Sequence, residues 1–187
     1  MSGWEGLVNL APHKFRCGHC AENVCSEKGY FRKGPGDRIY ICPNCSLPSL
    51  FSYHVQIPGP IIGNKINNVP ADIEALYMEA RQAYSVNAFT ASVMVCRKLL
   101  MHIAVQKGAK AGQTFHQYVD YLGQNHFVPP DGMGWVDHIR DKGNDANHEI
   151  VIMKKEDAED LITFIEMLLK FIYEFPAKIK AKTKPTP

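Results

Sequence analysis

Apolar residues recur at helical spacing through most of the chain after residue 70, and this pattern predicts helices. Four of them run from Pro70 to about Val86, from Ala88 to Gln106, from Thr114 to Gly123 and from Lys155 to Phe175. Thr114 and Gln117 have the spacing of a capping box, which supports a helix start at this point. Pro176 is predicted to end the last helix, because proline lacks the N–H group that continues helical hydrogen bonding.

A fifth helix is predicted in the segment from Trp135 to His148, whose polar residues fall on one side. At 100° per residue, one narrow stripe holds Asp137, Asp141, Asn144 and His148 with Arg140 at its edge, and the opposite side holds Trp135, Ile139, Gly143 and Ala146. Glycine in a helix interior costs roughly 1 kcal/mol relative to alanine, so something other than helix propensity selects it. Two interpretations remain open: the small residues admit a neighbouring helix, or the polar stripe is functional.

Before residue 57 the apolar runs become short and are separated by glycine and proline, and two pairs of cysteines stand out. Cys17 and Cys20 are separated by two residues, as are Cys42 and Cys45. This is the spacing of zinc-binding knuckles, in which each pair wraps one side of a tetrahedral ion. The two pairs therefore predict one structural Zn²⁺ ion per chain, with four sulfur ligands and no open coordination position.

The alternative interpretation is that these cysteines form two unrelated redox thiol pairs, although neither pair opens a helix in a βαβ unit. Three further residues, two cysteines and a histidine, are of types that commonly bind metals but are expected not to be ligands here. Cys25 has the wrong spacing from Cys20, Cys96 lies in an apolar helical run, and His19 lies inside the first pair.

These patterns predict a mostly α protein, in which a small N-terminal β zinc ribbon precedes an antiparallel bundle of about five helices. Strands of the ribbon are predicted from Arg38 to Ile41 and from Ser49 to Val55. The predicted organisation is a zinc ribbon over residues 1–56, a linker rich in Pro, Gly and Asn over 57–69, a helical domain over 70–175 and a basic flexible tail over 176–187.

The net charge of +2 conceals an uneven distribution of charged residues over the 187 positions. Residues 1–67 hold seven Lys or Arg against four Asp or Glu, residues 68–175 hold ten against fifteen, and residues 176–187 hold four lysines and no acid. Basic ends around an acidic body favour nucleic-acid contact at the ends, through the ribbon or through the tail lysines Lys178, Lys180, Lys182 and Lys184. No apolar run reaches the roughly 18 residues of a membrane span, so we expect a cytoplasmic protein without membrane contact.

The helical part resembles a known prokaryotic family at four places. These are Tyr77-Met-Glu-Ala-Arg81, the run from Ala91 to Leu100, the segment from Ile139 to His148, and the acidic start Glu156-Asp157-Ala158 of the last apolar helix. The family is catalogued as domain of unknown function 4145, occurs alone and fused to restriction-enzyme subunits, and is grouped with the HEPN superfamily of helical bundles. The resemblance covers roughly residues 70 to 176. It implies a homodimer and a defence or restriction context.

Active HEPN proteins are metal-independent ribonucleases that carry an Arg-x4-6-His motif, so the resemblance implies a catalytic site of Arg140, Asn144 and His148. His148 would exchange a proton with RNA, Arg140 would stabilise charge at the phosphorus, and Asn144 would orient the phosphate. The match departs from the motif at two points. Seven residues separate Arg140 from His148, and Gly143 stands immediately before Asn144.

Two functions therefore remain open from the sequence. The first is a dimeric endoribonuclease that acts on RNA and whose ribbon helps to position the substrate. The second is a non-catalytic module for dimerisation and for binding nucleic acid or a protein partner through the ribbon. In the second case His148 would stabilise a helix end and Arg140 would pair with a carboxylate such as Asp137 or Asp141.

Overall fold

A computed structural model describes residues 3–34, 36–53, 55–129, 132, 134–137, 139 and 152–183. Its N-terminal part is an antiparallel sheet of five strands in the order β1-β2-β3-β4-β5. The strands are β1 (Val8–Arg16), β2 (Asn23–Phe31), β3 (Arg38–Ile41), β4 (Pro48–Ser52) and β5 (Val55–Ile57). Each strand pairs with its neighbour in the chain, so the sheet is a simple meander.

The two longest strands, β1 and β2, were not predicted. Pro12 lies within β1, where a proline argues against a central strand, but β1 is an edge strand and its register shifts between Asn9 and His13. Gly29 is one of the glycines that separate the apolar runs, a residue type typical of turns, yet it lies in β2 opposite Tyr40. A Cβ atom at Gly29 would lie 1.8 Å from the carbonyl oxygen of Ile39, so the close approach of β3 requires glycine.

The prediction of β3 is confirmed, since the strand runs from Arg38 to Ile41. The strand predicted from Ser49 to Val55 is instead divided between β4 and β5. The division falls at Tyr53, which adopts a positive φ of 54° and so turns the chain. Leu50 pairs with Ile57 across the two strands.

The helices of the described residues are α1 (Ala71–Ser85), α2 (Phe89–Gln106), α3 (Phe115–Gln124), α4 (Lys155–Leu169) and α5 (Phe175–Thr183), and residues 134–137 and 139 are also helical. The capping box at the start of α3 is confirmed, because Thr114 and Gln117 make both of its hydrogen bonds. Helix α2 packs against α3 and α4. The largest fully buried side chains there include Leu99, Ile103, Leu122, Ile162 and Leu168.

The last predicted helix does not end at Pro176. A π-helical turn, Lys170–Glu174, follows α4, and the N–H of Phe175 donates to the carbonyl oxygen of Lys170. The chain then continues as α5, in which Pro176 is the second residue. Proline is tolerated in the first turn of a helix, because the N–H groups there have no partner within the helix.

The predicted fold class, mostly α with an antiparallel HEPN-like bundle of about five helices, is wrong. The structure combines a five-stranded antiparallel sheet with helices, and α5 contributes no buried residue. Periodicity missed the β content, because glycine and charged residues interrupt the alternation in β2. None of the described helices combines the length and the apolar character that crossing a bilayer requires.

The chain divides into two compact units. The sheet unit comprises Met1–Ile62 with Gln82–Ala88, and the helical unit comprises Gly63–Arg81 with Phe89–Pro187. Each unit is considered separately below.

Candidate metal centre

The two cysteine pairs lie in turns of the sheet that have matching backbone conformations. In the first turn the N–H of Ala21 donates to the carbonyl oxygen of Cys17 at 3.0 Å, and in the second the N–H of Ser46 donates to that of Cys42 at 2.9 Å. Ala21 and Ser46 also share positive φ angles of 63° and 59°. The same local fold is therefore built twice, from different sequences.

Each of these turns closes a β-hairpin. The N–H of Cys17 donates to Glu22 at 2.9 Å between β1 and β2, and the N–H of Cys42 donates to Leu47 at 3.0 Å between β3 and β4. A rigid hairpin on both sides fixes the backbone of each cysteine pair. The four sulfur atoms are thereby positioned by the sheet itself.

The four Sγ atoms, which belong to Cys17, Cys20, Cys42 and Cys45, lie within 4.8 Å of one another. Two distances between the turns are shorter, 3.7 Å from Cys17 to Cys45 and 3.8 Å from Cys20 to Cys42. A tetrahedral ion with Zn–S bonds of about 2.3 Å requires sulfur atoms about 3.8 Å apart. The cluster is therefore close enough to hold a metal ion.

Burial and hydrogen bonding shift the pKa values of the cysteine thiols in different directions. Burial raises the pKa of Cys17, and it raises that of Cys45 to about 12. Burial acts in the same direction on Cys20, but hydrogen bonds from Asn44 and the backbone of Glu22 outweigh it and lower its pKa to about 7. Since a metal binds thiolates, loading this cluster must displace protons from the more basic cysteines.

Gly18 and His19, which lie inside the first cysteine pair, support this turn in ways that the sequence did not reveal. The ring Nε2 of His19 lies 2.8 Å from the carbonyl oxygen of Pro48, and the His19 N–H donates to the sulfur of Cys17. A Cβ atom at Gly18 would lie 2.4 Å from the carbonyl oxygen of Pro58. Such contacts between distant parts of the chain leave no local sequence signal.

Trp4 contacts the second cysteine turn from outside the sheet. Its indole N–H donates to the carbonyl oxygen of Ser46 at 2.8 Å. Below the cluster, Phe15 and Tyr40 are buried together with Cys17 and Cys42. The candidate metal centre thus borders the core of the sheet unit, with Cys17 and Cys42 buried and Cys20 and Cys45 half-buried.

The remaining cysteines lie outside the cluster. Cys25 is exposed on β2, and Cys96 is fully buried in α2, where burial raises the pKa of its thiol. Neither belongs to any group of potential metal ligands among the described residues. The packing predicted for Cys96 as a small apolar side chain agrees with its burial.

The predicted catalytic residues Arg140, Asn144 and His148 lie outside the described residues. Just before them, Val136 and Ile139 are buried and Asp137 is exposed. The ring of Trp135 stacks on Phe164 of α4, with centroids 6.2 Å apart. The division into an apolar and a polar side therefore holds for residues 135–137 and 139, except that Trp135 remains 37% exposed.

The fold and the site define a chain in which an antiparallel sheet with a four-cysteine cluster precedes a helical region. The family model described as domain of unknown function DUF4145 matches residues 78–184, which is more than half of the chain. The protein therefore belongs to the DUF4145 family. The comparisons with curated proteins and with solved structures gave no match.

Proposed function

We propose that the four-cysteine cluster holds one zinc ion per chain and that this ion is structural. The supporting observation is the pair of matched turns, whose sulfur spacings of 3.7 and 3.8 Å suit a tetrahedral ion. Four protein ligands leave no position for a substrate. The ion would stabilise a ribbon-like sheet rather than take part in chemistry.

Metal analysis of the purified protein tests this assignment. We expect one zinc per chain, and we expect Cys42→Ser to lose most of it. Cys25→Ser is the matched control, since Cys25 is exposed outside the cluster. A native protein without zinc, or full zinc content in Cys42→Ser, would contradict the proposal.

For the whole protein, we propose binding of nucleic acid, with RNA as the favoured target, in a prokaryotic defence or restriction context. The supporting observation is the excess of basic residues near the sheet, seven against four over residues 1–67, together with the exposure of Lys14, Arg32 and Lys33. Such charges contact phosphates, and the affinity then falls as salt displaces the contact. Anisotropy of labelled single-stranded RNA at 50 to 200 mM salt gives the test, and absence of binding at low salt would refute the proposal.

The same proposal extends to RNA cleavage by an HEPN-like site of Arg140, Asn144 and His148. Its support is the sequence motif, which lies within the matched family range. Labelled RNA is incubated with the protein without added metal, with His148→Ala as the control. Cleavage by the wild type that Arg140→Ala and His148→Ala abolish is the expected result for an active site.

Arg140 lies farther from His148 than the arginine of active HEPN proteins, and this departure suggests a second variant that tests the cleavage site. Gly143→Arg places an arginine immediately before Asn144 and so restores the Arg-Asn-x3-His form of active HEPN proteins. Cleavage gained only in this variant would indicate a disabled nuclease site. No cleavage by the wild type or by this variant would exclude the nuclease and leave binding as the function.

The alternative function is a non-catalytic module for dimerisation and protein interaction. One observation favours it: Phe171, Phe175 and Ile179 are 45%, 39% and 62% exposed near the C-terminal end of the helical unit. Exposed apolar side chains at four-residue spacing suit a helical interface. Light scattering at tens of micromolar tests for a homodimer, and a dimer that Ile179→Glu dissociates would support this function.

A further inference from the structure

One end of the sheet, where β2 turns into β3, combines exposed aromatic rings with positive charge. Phe31 ends β2 and is 53% exposed, and Tyr53, which follows β4, is 75% exposed. The Tyr53 ring packs over Gly36 in the turn between β2 and β3, 3.6 Å from the place that a Cβ atom would take. Both rings therefore offer a face to solvent at the same end of the sheet.

Cations accompany these rings. The guanidinium carbon of Arg38 lies 5.6 Å from the centroid of the Phe31 ring, and Arg38 also donates to the carbonyl oxygen of Asp37 at 2.8 Å. The side chain of Arg32 is 75% exposed, and Lys33 is also exposed. Arg38 thus lies over the Phe31 ring, and Arg32 and Lys33 are exposed in the turn that follows it.

The acid in the turn between β2 and β3 is already engaged. Asp37 accepts a hydrogen bond from Ser52 at 2.8 Å and forms an ion pair with Arg32 at 3.0 Å. The charge of three cations against one carboxylate leaves the turn positive. An open groove of about 430 Å³ runs beside it and is lined by Phe31, Arg32, Arg38 and Leu50, among others.

We propose that this end of the sheet binds a single strand of nucleic acid, with bases stacked on Phe31 and Tyr53 and phosphates beside Arg32, Lys33 and Arg38. The inference rests on the proposed nucleic-acid binding and names its site. A single strand is the matching ligand because its base faces are free to stack, whereas those of a duplex are covered by neighbouring base pairs. Bases stacked on the rings and phosphates paired with the cations account for both kinds of side chain at this end of the sheet.

A protein partner is a poorer match for this surface. The buried centre of a protein interface is depleted of charged residues, whereas here three cations accompany the rings. Removing Arg38 and Arg32 from water without phosphates or carboxylates opposite them would carry a desolvation cost. The charge therefore favours a polyanion as the occupant.

The test measures the affinity of the full-length, zinc-loaded protein for a labelled twelve-nucleotide RNA, for DNA of the same sequence and for the corresponding duplex. Phe31→Ala is expected to weaken binding of the single strands about tenfold, through loss of one stacked base. Phe31→Trp should retain the affinity, because it keeps an aromatic face. Met94→Ala is the control, since Met94 is similarly exposed, at 54%, in the helical unit.

The charges are tested through the dependence of the affinity on salt. Arg38→Gln should lower the slope of log affinity against log salt by about 0.7, the value for one phosphate contact with a single strand. Lys110→Gln, which removes an exposed cation of the helical unit, should leave the affinity for the strand almost unchanged. Zinc content and circular dichroism verify that each variant is folded.

The possible results distinguish a wrong binding site from a protein that binds no nucleic acid. If Phe31→Ala and Arg38→Gln both bind RNA as the wild type does, the site is refuted while nucleic-acid binding stands, and this surface is left for a protein partner. Equal affinity for duplex and single strand would also refute the site. If the wild type binds no nucleic acid at 50 mM salt, both proposals fail. Photocrosslinks of RNA to Phe31 or Tyr53 would support the site directly.

Discussion

The cores of the two units are built from different material. In the sheet unit, Phe15 and Tyr40 are buried with Cys17 and Cys42, and the other hydrophobic residues packed against them are only partly buried. In the helical unit, long aliphatic side chains from three helices are fully buried, among them Leu99, Leu122 and Ile162. Ile41 and Ile61 are the largest fully buried aliphatic side chains of the sheet unit. With so few of them, the stability of this unit depends on what joins the sulfur atoms, whereas the larger aliphatic core of the helical unit is sufficient by itself.

Removal of the metal should produce the largest effect and should affect only one unit. Structural zinc contributes apparent binding free energies of about 10 to 16 kcal/mol in small zinc-binding peptides, so a chelator is expected to unfold the sheet. The helical unit should keep its helical signal in circular dichroism. If all helical signal were lost together with zinc, the helical unit would not be stable by itself.

The two tryptophans allow each unit to be followed separately. Trp4 is bonded to the second cysteine turn, and Trp135 stacks on Phe164 in the helical unit. In Trp135→Phe, the remaining fluorescence reports on the sheet and should change when zinc is removed. In Trp4→Phe, it reports on the helical unit and should stay nearly constant.

A cavity in the aliphatic core should give the next largest effect, now in the helical unit. Leu168 is fully buried in α4, and Leu168→Ala is expected to lower the free energy of unfolding by about 2 to 5 kcal/mol. Urea denaturation followed by Trp135 fluorescence measures it, and zinc content should not change. Met94→Ala serves as the exposed control, and an equal loss of stability there would show that burial is not the cause.

The difference between the units also explains which features the sequence predicted. The cysteine pairs were recognisable, because the chemistry of a metal site requires fixed residue types at fixed local spacing. The helices were recognisable from a period of 3.6 residues, and the capping box at Thr114 from two residues. Both kinds of signal lie within a few positions of the chain.

The strands β1 and β2 were missed, because the feature that makes them possible lies elsewhere in the chain. Gly29 looks like a turn until the carbonyl group of Ile39 is placed beside it, and Pro12 looks like a strand breaker until β1 is known to be an edge. The contact of the His19 ring with the carbonyl oxygen of Pro48 likewise joins distant segments. The roles of Arg140, Asn144 and His148 stay predictions.

Glu166 is expected to make a smaller contribution to the stability of the helical unit, and this contribution depends on pH. Its carboxylate accepts hydrogen bonds from the N–H of Asn64 at 2.9 Å and from the Asn64 side chain at 2.8 Å, and it also binds Lys170. Burial alone would raise the pKa of Glu166, but the bonds from Asn64 and Lys170 outweigh it and lower the pKa below its ordinary value of 4.5. The unfolded state therefore binds the proton more tightly.

The stabilisation by Glu166 is accordingly complete above pH 4.5 and is lost as the pH falls through the lowered pKa of the folded state. Glu166→Gln should cost about 2 kcal/mol of unfolding free energy at pH 7 and should flatten the loss of stability between pH 5 and 3, where charged hydrogen bonds disappear. Glu79→Gln controls for removal of an exposed carboxylate elsewhere in the helical unit. An equal acid dependence in wild type and Glu166→Gln would exclude this role.

The smallest effect concerns a single helix end. Thr114 caps α3, because its side chain accepts a hydrogen bond from the N–H of Gln117 and its own N–H donates to the Gln117 side chain at 2.8 Å. Thr114→Ala removes the first of these bonds and should cost about 1 kcal/mol, or a fall of about 2 to 4 °C in Tm. Thr163→Ala is the matched control, since Thr163 is exposed within α4 and alanine favours the helix there.

The loss of stability in Thr114→Ala should appear in the unfolding of the helical unit and leave zinc binding unchanged, because α3 lies wholly in that unit. If Thr114→Ala lowered the zinc content instead, the two units would not be stabilised separately, and the contrast between a sulfur-centred core and an aliphatic core would fail.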